Sequence, residues 1–148
     1  MKKRFALILF ALVVSLVSGC SGGGSPSDVA KDFYKAGNDG NYEKAESYLS
    51  ISMEMAFEMG AFGGVGFTGG SGLEFENMMD GATKDGTIAR IEVKGGEEYP
   101  GGYQAMVYLT LHYTDGSRAQ DVLMLQKEDG NWKILQSTLL LTGGLLPP

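Results

Sequence analysis

Apolar residues recur at helical spacing in the first half of the chain, which predicts a series of short helices. Ser27 follows a proline and fits the N-cap of a first helix, which Gly37 would end. Asn41 fits the cap of a second helix that forms a helical hairpin with the first. Ser52 is expected to start a short third helix, and Ser71–Glu74 has a capping-box pattern that would open one or two further turns.

Apolar and polar residues alternate in the second half, which predicts an antiparallel sheet of about four strands. Asp115-Gly116 and Asp129-Gly130 are signals for two-residue hairpin loops. With these loops, Leu109 lies opposite Val122, and Met124 lies opposite Leu135. The face expected to meet the helices then carries Val107, Leu109, Leu111, Val122, Met124 and Leu135. The other face would carry Met106, Tyr108, Leu123, Leu125, Trp132, Ile134, Thr110, His112, Asp121 and Gln136, and its apolar members suggest that something covers part of it.

A glycine-rich segment, Gly60–Gly72, has seven glycines in thirteen residues and separates the predicted helices. We expect it to be the most mobile part of the domain after the N-terminal tether, because glycine loses the most entropy on ordering. Gly64–Gly69 matches GxGxxG, but no strand precedes it and no long helix follows, so a phosphate-binding role is not favoured. The alternative is a pocket lid in which Phe62 and Phe67 cover a ligand or touch a partner.

The first nineteen residues have the pattern of a signal peptide, with a basic start followed by an apolar run too short to span a bilayer. Leu16–Cys20 resembles the bacterial lipobox, with valine where leucine is commonest. The resemblance implies that Cys20 is lipidated and becomes the first mature residue. Residues 20–26 would then form a flexible tether, and residues 27–148 a single domain.

The charge and composition of the chain argue against several kinds of partner and cofactor. Lys plus Arg number 12 against 18 Asp plus Glu, a net charge of −6, so a nucleic-acid surface is not expected. Loss of residues 1–19 would remove three positive charges and leave a net charge of −9, which anionic lipid would repel. One Cys and one His exclude a disulfide framework and a multi-histidine site, so neither a metal nor another cofactor is expected.

The order of elements resembles the nuclear-transport-factor-2-like, or cystatin-like, α+β cone. Ser27–Ala30, Phe33–Ala36 and Asp39–Ala45 are similar to the helical hairpin of bacterial lipoproteins with that fold, and Asp129–Ile134 to their final hairpin. The resemblance implies a helical hairpin and a short third helix packed on a curved antiparallel sheet. The wider superfamily includes isomerases, dehydratases and binding or scaffold modules, so the resemblance supports fold more than function.

One polar cluster could carry chemistry in the predicted register. Thr110 would pair with Asp121, and His112 would lie diagonally across from Asp121. A His–Asp pair can act as a general acid and base, but these two residues fall on the face predicted to lie away from the helices. A solvated or dimer-interface cluster is the favoured interpretation.

The function expected from the sequence is a lipid-anchored, noncatalytic envelope domain that binds a small apolar ligand or an envelope protein. In a Gram-negative host the resemblance places it on the periplasmic face of the outer membrane, and in a Gram-positive host on the outer face of the cell membrane. The alternatives are an acid/base isomerase or hydrolyase that uses the cone pocket, and a purely structural envelope module.

Overall fold

The computed structural model of the protein describes residues 24–58 and 71–142, with side chains described from residue 75 onward in the second range. The predicted signal peptide, the lipidation site Cys20, the lid residues Phe62 and Phe67, and most of the glycine-rich segment lie outside the described residues. The described elements are α1 (Pro26–Asn38), α2 (Tyr42–Glu46), α3 (Ile51–Glu58), α4 (Ser71–Thr83), β1 (Ile88–Glu98), β2 (Gln104–Tyr113), β3 (Arg118–Glu128), β4 (Asn131–Ser137) and α5 (Thr138–Leu141).

Helix α1 begins two residues earlier than predicted, because Ser25 rather than Ser27 is its N-cap. The Ser25 hydroxyl accepts from the backbone N–H of Asp28, and the Asp28 carboxylate accepts from the backbone N–H of Ser25, which makes a capping box. Pro26 then occupies the first helical position, where its fixed φ suits the helix and its missing N–H costs nothing. The buried face of the helix includes Val29, Ala30, Phe33 and Tyr34.

The other helices follow the predicted order. Asn41 caps α2 as predicted, with its side-chain oxygen accepting from the backbone N–H of Lys44 at 3.1 Å. Helix α4 has 13 residues rather than the predicted turn or two. It is longer because Phe75 and Met79, one helical turn apart, are both buried in the core.

The four strands form one antiparallel sheet in the order β1-β2-β3-β4. The outer edge of β4 is covered, because Leu49 forms a parallel bridge to Ile134 through two backbone hydrogen bonds. Register shifts in β1 after Ile88 and after Val93 are expected to bend that strand. The predicted α+β class, with N-terminal helices on a four-stranded antiparallel sheet, is confirmed.

The predicted pairing of β2 with β3 is wrong by one residue. Leu109 lies opposite Asp121 rather than Val122. The residues that close the hairpin loop are Tyr113 and Ser117, since the Tyr113 N–H donates to the Ser117 carbonyl at 2.9 Å. A two-residue type I′ turn needs positive φ at both central residues, but at Asp115-Gly116 only the glycine has it, with φ of 85°. The loop therefore contains three residues, and the third is the left-handed glycine.

The slip turns every side chain of β3 over. The buried residues of β3 and β4 include five that were predicted to lie on the other face: Asp121, Leu123, Leu125, Trp132 and Ile134. The residues predicted to be in the core but only partly buried are Val122, Met124 and Leu135. The prediction for β2 holds, since Val107, Leu109 and Leu111 are buried. Of their predicted helical neighbours, Val29, Phe33 and Ala45 are buried and Tyr42 is partly buried.

The Asp129-Gly130 loop does form a two-residue turn, with φ of 49° and 81°. Pairing near the turn is as predicted, but a register shift after Leu125 places Met124 opposite Gln136 rather than Leu135. Strand β4 ends at Ser137, not near Leu141, and the chain continues as α5, whose Leu139 and Leu140 are fully buried.

Candidate functional site

The charged group that β3 directs into the interior is the carboxylate of Asp121, which is 2 % exposed. Its Oδ2 accepts from the Tyr34 hydroxyl at 2.5 Å and from the Ser137 hydroxyl at 2.8 Å. Its Oδ1 accepts from the Thr138 hydroxyl at 2.7 Å and from the backbone N–H of Leu139 at 2.8 Å. Four donors therefore satisfy this carboxylate, and each of its oxygens receives two of them.

Three elements position these donors. Tyr34 lies on the buried face of α1, while Ser137 ends β4 and caps α5 by accepting from the backbone N–H of Leu140 at 3.1 Å. Thr138 also accepts from the backbone N–H of Val122 at 3.1 Å, so the start of α5 is bound to β3 through two neighbouring residues. The carboxylate thus joins the first helix, the third strand and the last helix of the described chain.

Burial raises the pKa of the Tyr34 hydroxyl well above its ordinary value, and the adjacent carboxylate of Asp121 raises it further. At neutral pH the hydroxyl therefore keeps its proton and remains a donor to Asp121. The network can stabilise packing, but its carboxylate has no lone pair directed at open solvent with which to take a proton from a substrate.

His112 lies on the opposite face of the sheet, so the predicted His112–Asp121 pair does not form. The Nε2 atom of His112 is 3.0 Å from Nη2 of Arg90 and 3.0 Å from Oε2 of Glu92. Lys94 binds the other oxygen of Glu92 at 2.7 Å, and its hydrogen bond together with that of His112 lowers the pKa of Glu92 to about 2. The carboxylate of Glu92 is therefore charged throughout the physiological range.

The roles of Tyr34 and Ser137 were not predicted. A tyrosine on the buried face of a helix needs a hydrogen-bond partner, and Ser137-Thr138 before a run of leucines fits a helix cap. Both signals are local and point to a polar network, but only the correct register shows that Asp121 is its acceptor.

An open groove of about 440 Å³ lies between α1 and the free edge strand β1. Lys31, Asp32 and Lys35 line it from α1, and Arg90 and Ile91 line it from β1. Its mixed charges differ from the apolar lining expected of a pocket for a small apolar ligand.

Two apolar cross-strand pairs lie side by side on the outer face of the sheet, and we call them the outer strip. Met106 pairs with Met124, and Tyr108 pairs with Val122. Tyr108 is 39 % exposed and the other three are partly exposed. The hydroxyl of Tyr99 contacts the sulfur of Met106 at 2.7 Å, which adds a further aromatic ring beside the strip.

Within residues 24–58 and 71–142, no three side chains of the metal-binding types converge on one point. Nor does any helix in the described part of the chain combine the length and apolar character needed to cross a membrane.

Comparisons with known proteins give a family and a similar fold. A family model described as a domain of unknown function (DUF4878) matches residues 18–135. The crystal structure of a Campylobacter jejuni protein with the provisional name NTF2-like transpeptidase is similar over 76 % of this chain and 99 % of that one, with 18 % identity and a TM-score of 0.57. An NTF2-like protein of unknown function from Shewanella oneidensis covers 75 % of this chain and 92 % of its own, with 15 % identity and a TM-score of 0.49. The search of curated proteins gave no match. At 18 % identity, the likeness to the Campylobacter structure shows an NTF2-like fold alone.

Proposed function

The chain belongs to the DUF4878 family of domains of unknown function. We propose that it is a lipid-anchored, noncatalytic domain that binds another protein at the cell envelope. The observation that carries the proposal is the outer strip, where two methionines, a tyrosine and a valine remain partly exposed on one face of the sheet. Exposed apolar patches bordered by polar residues are typical of protein-binding surfaces, and methionine adapts its shape to a partner.

The noncatalytic part of the proposal depends on Asp121. An acid/base isomerase or hydrolyase would need an ionisable group that faces a cavity open to substrate. The carboxylate of Asp121 is buried, and four donors occupy its oxygens. The group in the described interior that is best placed for such chemistry is therefore committed to holding α1, β3 and α5 together.

The name of the Campylobacter protein raises a second enzyme class, acyl transfer, which needs an activated nucleophile. The only thiol of this chain is Cys20, and its only histidine, His112, contacts an arginine and a glutamate on the outer face. These contacts give no support for a cysteine–histidine pair, so binding remains the favoured function.

A small apolar ligand is a weaker candidate than a protein, because the large apolar side chains of the described interior pack in the buried core and do not line the α1–β1 groove. The fully buried members of this interior include Phe33, Phe75, Met79, Leu109, Leu111, Leu123, Leu125 and Ile134. The described surface carries the charged α1–β1 groove and the apolar outer strip. An exposed strip of this kind is more typical of a protein-binding surface than of a small-molecule site, which is usually a concave pocket.

The lipid anchor in this proposal follows from the lipobox pattern at Leu16–Cys20. Two or three acyl chains would hold the domain firmly, since each buried CH₂ contributes about 0.8 kcal/mol. Replacing Cys20 with alanine should move the protein out of the membrane fraction and abolish acyl labelling. A Cys20→Ala variant that still carries acyl mass and stays wholly with membranes would contradict the anchor without affecting the binding proposal.

The binding proposal can be tested by placing a photo-crosslinking amino acid at Tyr108 in the full-length protein in its own cells. Tyr103 is the matched control, because it is also an exposed tyrosine of the β1–β2 region but is not part of the outer strip. We expect a cross-linked product with a second, different protein from position 108 and little from position 103. Met124→Glu should abolish the product, whereas Gln104→Glu, which places the same charge at an exposed site on β2, should leave it unchanged.

Three outcomes would contradict the proposal. A product of twice the chain mass would assign the strip to self-association. Equal cross-linking at both positions would show that the strip is not a specific surface. Retention of the product in Met124→Glu, or in a folded Met106→Lys variant if Met124→Glu greatly lowers the melting temperature, would show that the strip is not the contact surface.

A further inference from the structure

Three basic side chains form a row across the outer face, beyond the outer strip. Arg90 on β1 is the register partner of His112 on β2, and His112 is the partner of Arg118 on β3. Neighbouring strands are about 4.8 Å apart, so the three side chains start within about 10 Å of one another. Residues 20–148 contain no arginine other than these two and no other histidine, although acidic residues outnumber basic ones there by 18 to nine.

The Nε2 atom of His112 has two polar neighbours and can hydrogen-bond to only one of them at a time. Arg90 and Glu92 approach the same ring nitrogen, Nε2, at the same distance of 3.0 Å. This nitrogen carries either a lone pair, which accepts from Arg90, or a proton, which is donated to Glu92. While Nε2 is unprotonated it accepts from Arg90. Once protonated it donates to Glu92, and Arg90 keeps only its ion pair with Oε2 of Glu92 at 3.5 Å, so the guanidinium has donors left for another ligand.

We propose that Arg90, His112 and Arg118 form a binding site for a tetrahedral oxyanion, of the kind that a phosphate ester carries, and that protonation of His112 strengthens the binding. A carboxylate can be satisfied by a single arginine fork. A row of two guanidinium groups with an imidazole between them presents donors to three oxygens at once, which matches phosphate better.

The charges around the row support an anion. On β1, His112 is faced by Arg90 and by Glu92, whose second oxygen is bound to Lys94. On β3 it is faced by Arg118. Asp115, in the adjacent hairpin loop, is already paired with Lys84 at 3.2 Å and with Ser117. With Glu92 counted against Arg90, Lys94 and Arg118, the cluster has a net charge of +2, which becomes +3 when His112 is protonated.

The proposal is tested with inorganic sulfate, because its charge stays at −2 while that of phosphate changes over the range in which histidine titrates. The full-length protein in non-ionic detergent is titrated at about pH 5.5 and about pH 8, on either side of the ordinary histidine range. His112 is the only histidine of the chain, so a change in the NMR signals of its ring protons reports binding at the proposed site. We expect affinity at the lower pH to be higher by about fivefold or more.

Arg118→Gln should weaken sulfate binding about tenfold, because it removes a charge-assisted hydrogen bond. Lys44→Gln on α2 removes the same charge at an exposed site away from the row and should leave the affinity unchanged. His112→Gln should bind sulfate equally at the two pH values, which a merely structural role for His112 does not predict. Melting temperatures of the three variants establish that each is folded.

The source of the oxyanion is distinguished by two further titrations, one with glycerol 3-phosphate and one with phosphatidylglycerol added to the micelles. Binding of the soluble phosphate assigns the site to a free phosphate ester, and binding only in phosphatidylglycerol micelles assigns it to a lipid headgroup. No response to sulfate in the wild-type protein, or an equal response in Arg118→Gln, would overturn the proposal.

Discussion

Removing the carboxylate of Asp121 should be among the most damaging single changes in the domain. In Asp121→Ala, the hydroxyls of Tyr34, Ser137 and Thr138 and the backbone N–H of Leu139 all lose their acceptor. A buried polar group left without a partner costs about 1–3 kcal/mol. Tyr34 and Ser137 are 3.3 Å apart and can bond to each other, so the full cost falls on the two donors at the start of α5. We expect a loss of about 3–5 kcal/mol, out of a total stability of about 5–15 kcal/mol.

Urea unfolding, followed by the fluorescence of the single tryptophan, Trp132, measures this loss directly. Asp121→Asn is the matched control, because its amide oxygen can still accept from Thr138 and Leu139, while its NH₂ group replaces only the other carboxylate oxygen. It should cost about half as much as alanine. A loss below about 1 kcal/mol for Asp121→Ala would refute the argument, because even one unsatisfied buried donor costs that much. Such a result would make Asp121 a free interior carboxylate and revive the enzyme alternative.

Three further changes test the interior. The folded state raises the pKa of Tyr34, so the contribution of this hydroxyl to stability is complete below its unfolded pKa of about 10 and is lost as the pH rises above that value. Tyr34→Phe should therefore lose less stability at alkaline pH than the wild type, as measured by urea unfolding. Gly37→Ala should lower the melting temperature although alanine favours helices, because its Cβ would lie 2.3 Å from the sulfur of the buried Met79; an unchanged melting temperature would show that Met79 moves aside freely. Leu109→Ala should cost about 2–5 kcal/mol of unfolding free energy, and a cost like that of a surface change would contradict its place in the core.

The elements could be predicted from the sequence because their signals are local. The apolar spacing on α1 and the cap at Asn41 depend on residues within one or two turns, and both are found in the structure. The helix start at Ser25 was missed because two serines flank Pro26, and either can cap on local grounds. Only the reciprocal bond from Asp28 decides between them.

The register of β3 could not be predicted from its turn signal alone. Asp-Gly is compatible with both a two-residue and a three-residue loop. In this chain Asp129-Gly130 forms the two-residue loop, and Asp115-Gly116 belongs to a three-residue loop. At Asp115 the carboxylate accepts from the backbone N–H and the hydroxyl of Ser117, and the neighbouring Thr114 N–H donates to the carbonyl of Thr87. That last contact comes from a residue far away in the chain, so the loop length is set by tertiary structure.

The same error affected the predicted site, because a slip of one residue moves Asp121 and its neighbours on β3 to the other face of the sheet. His112 and Asp121 were therefore predicted to lie together, although β2 and β3 hold them on opposite faces. What remained valid was the observation that both faces of the sheet carry apolar residues. The buried face is the helix-covered core, and the other is the outer strip.

The two registers make opposite predictions for neighbouring residues of β3, and this gives the final test. Leu123 is fully buried, so Leu123→Ala should open a cavity and cost about 2–5 kcal/mol of unfolding free energy. Met124 lies on the outer strip, so Met124→Ala removes a similar volume from a partly exposed site and should cost well under half as much. The pair is well matched, since both are unbranched at Cβ and lie at adjacent positions of one strand, where differences in strand propensity are small. If Met124→Ala proved the more costly, the two-residue loop at Asp115-Gly116 would be correct, the outer strip would be core, and Asp121 would lie beside His112 on the exposed face.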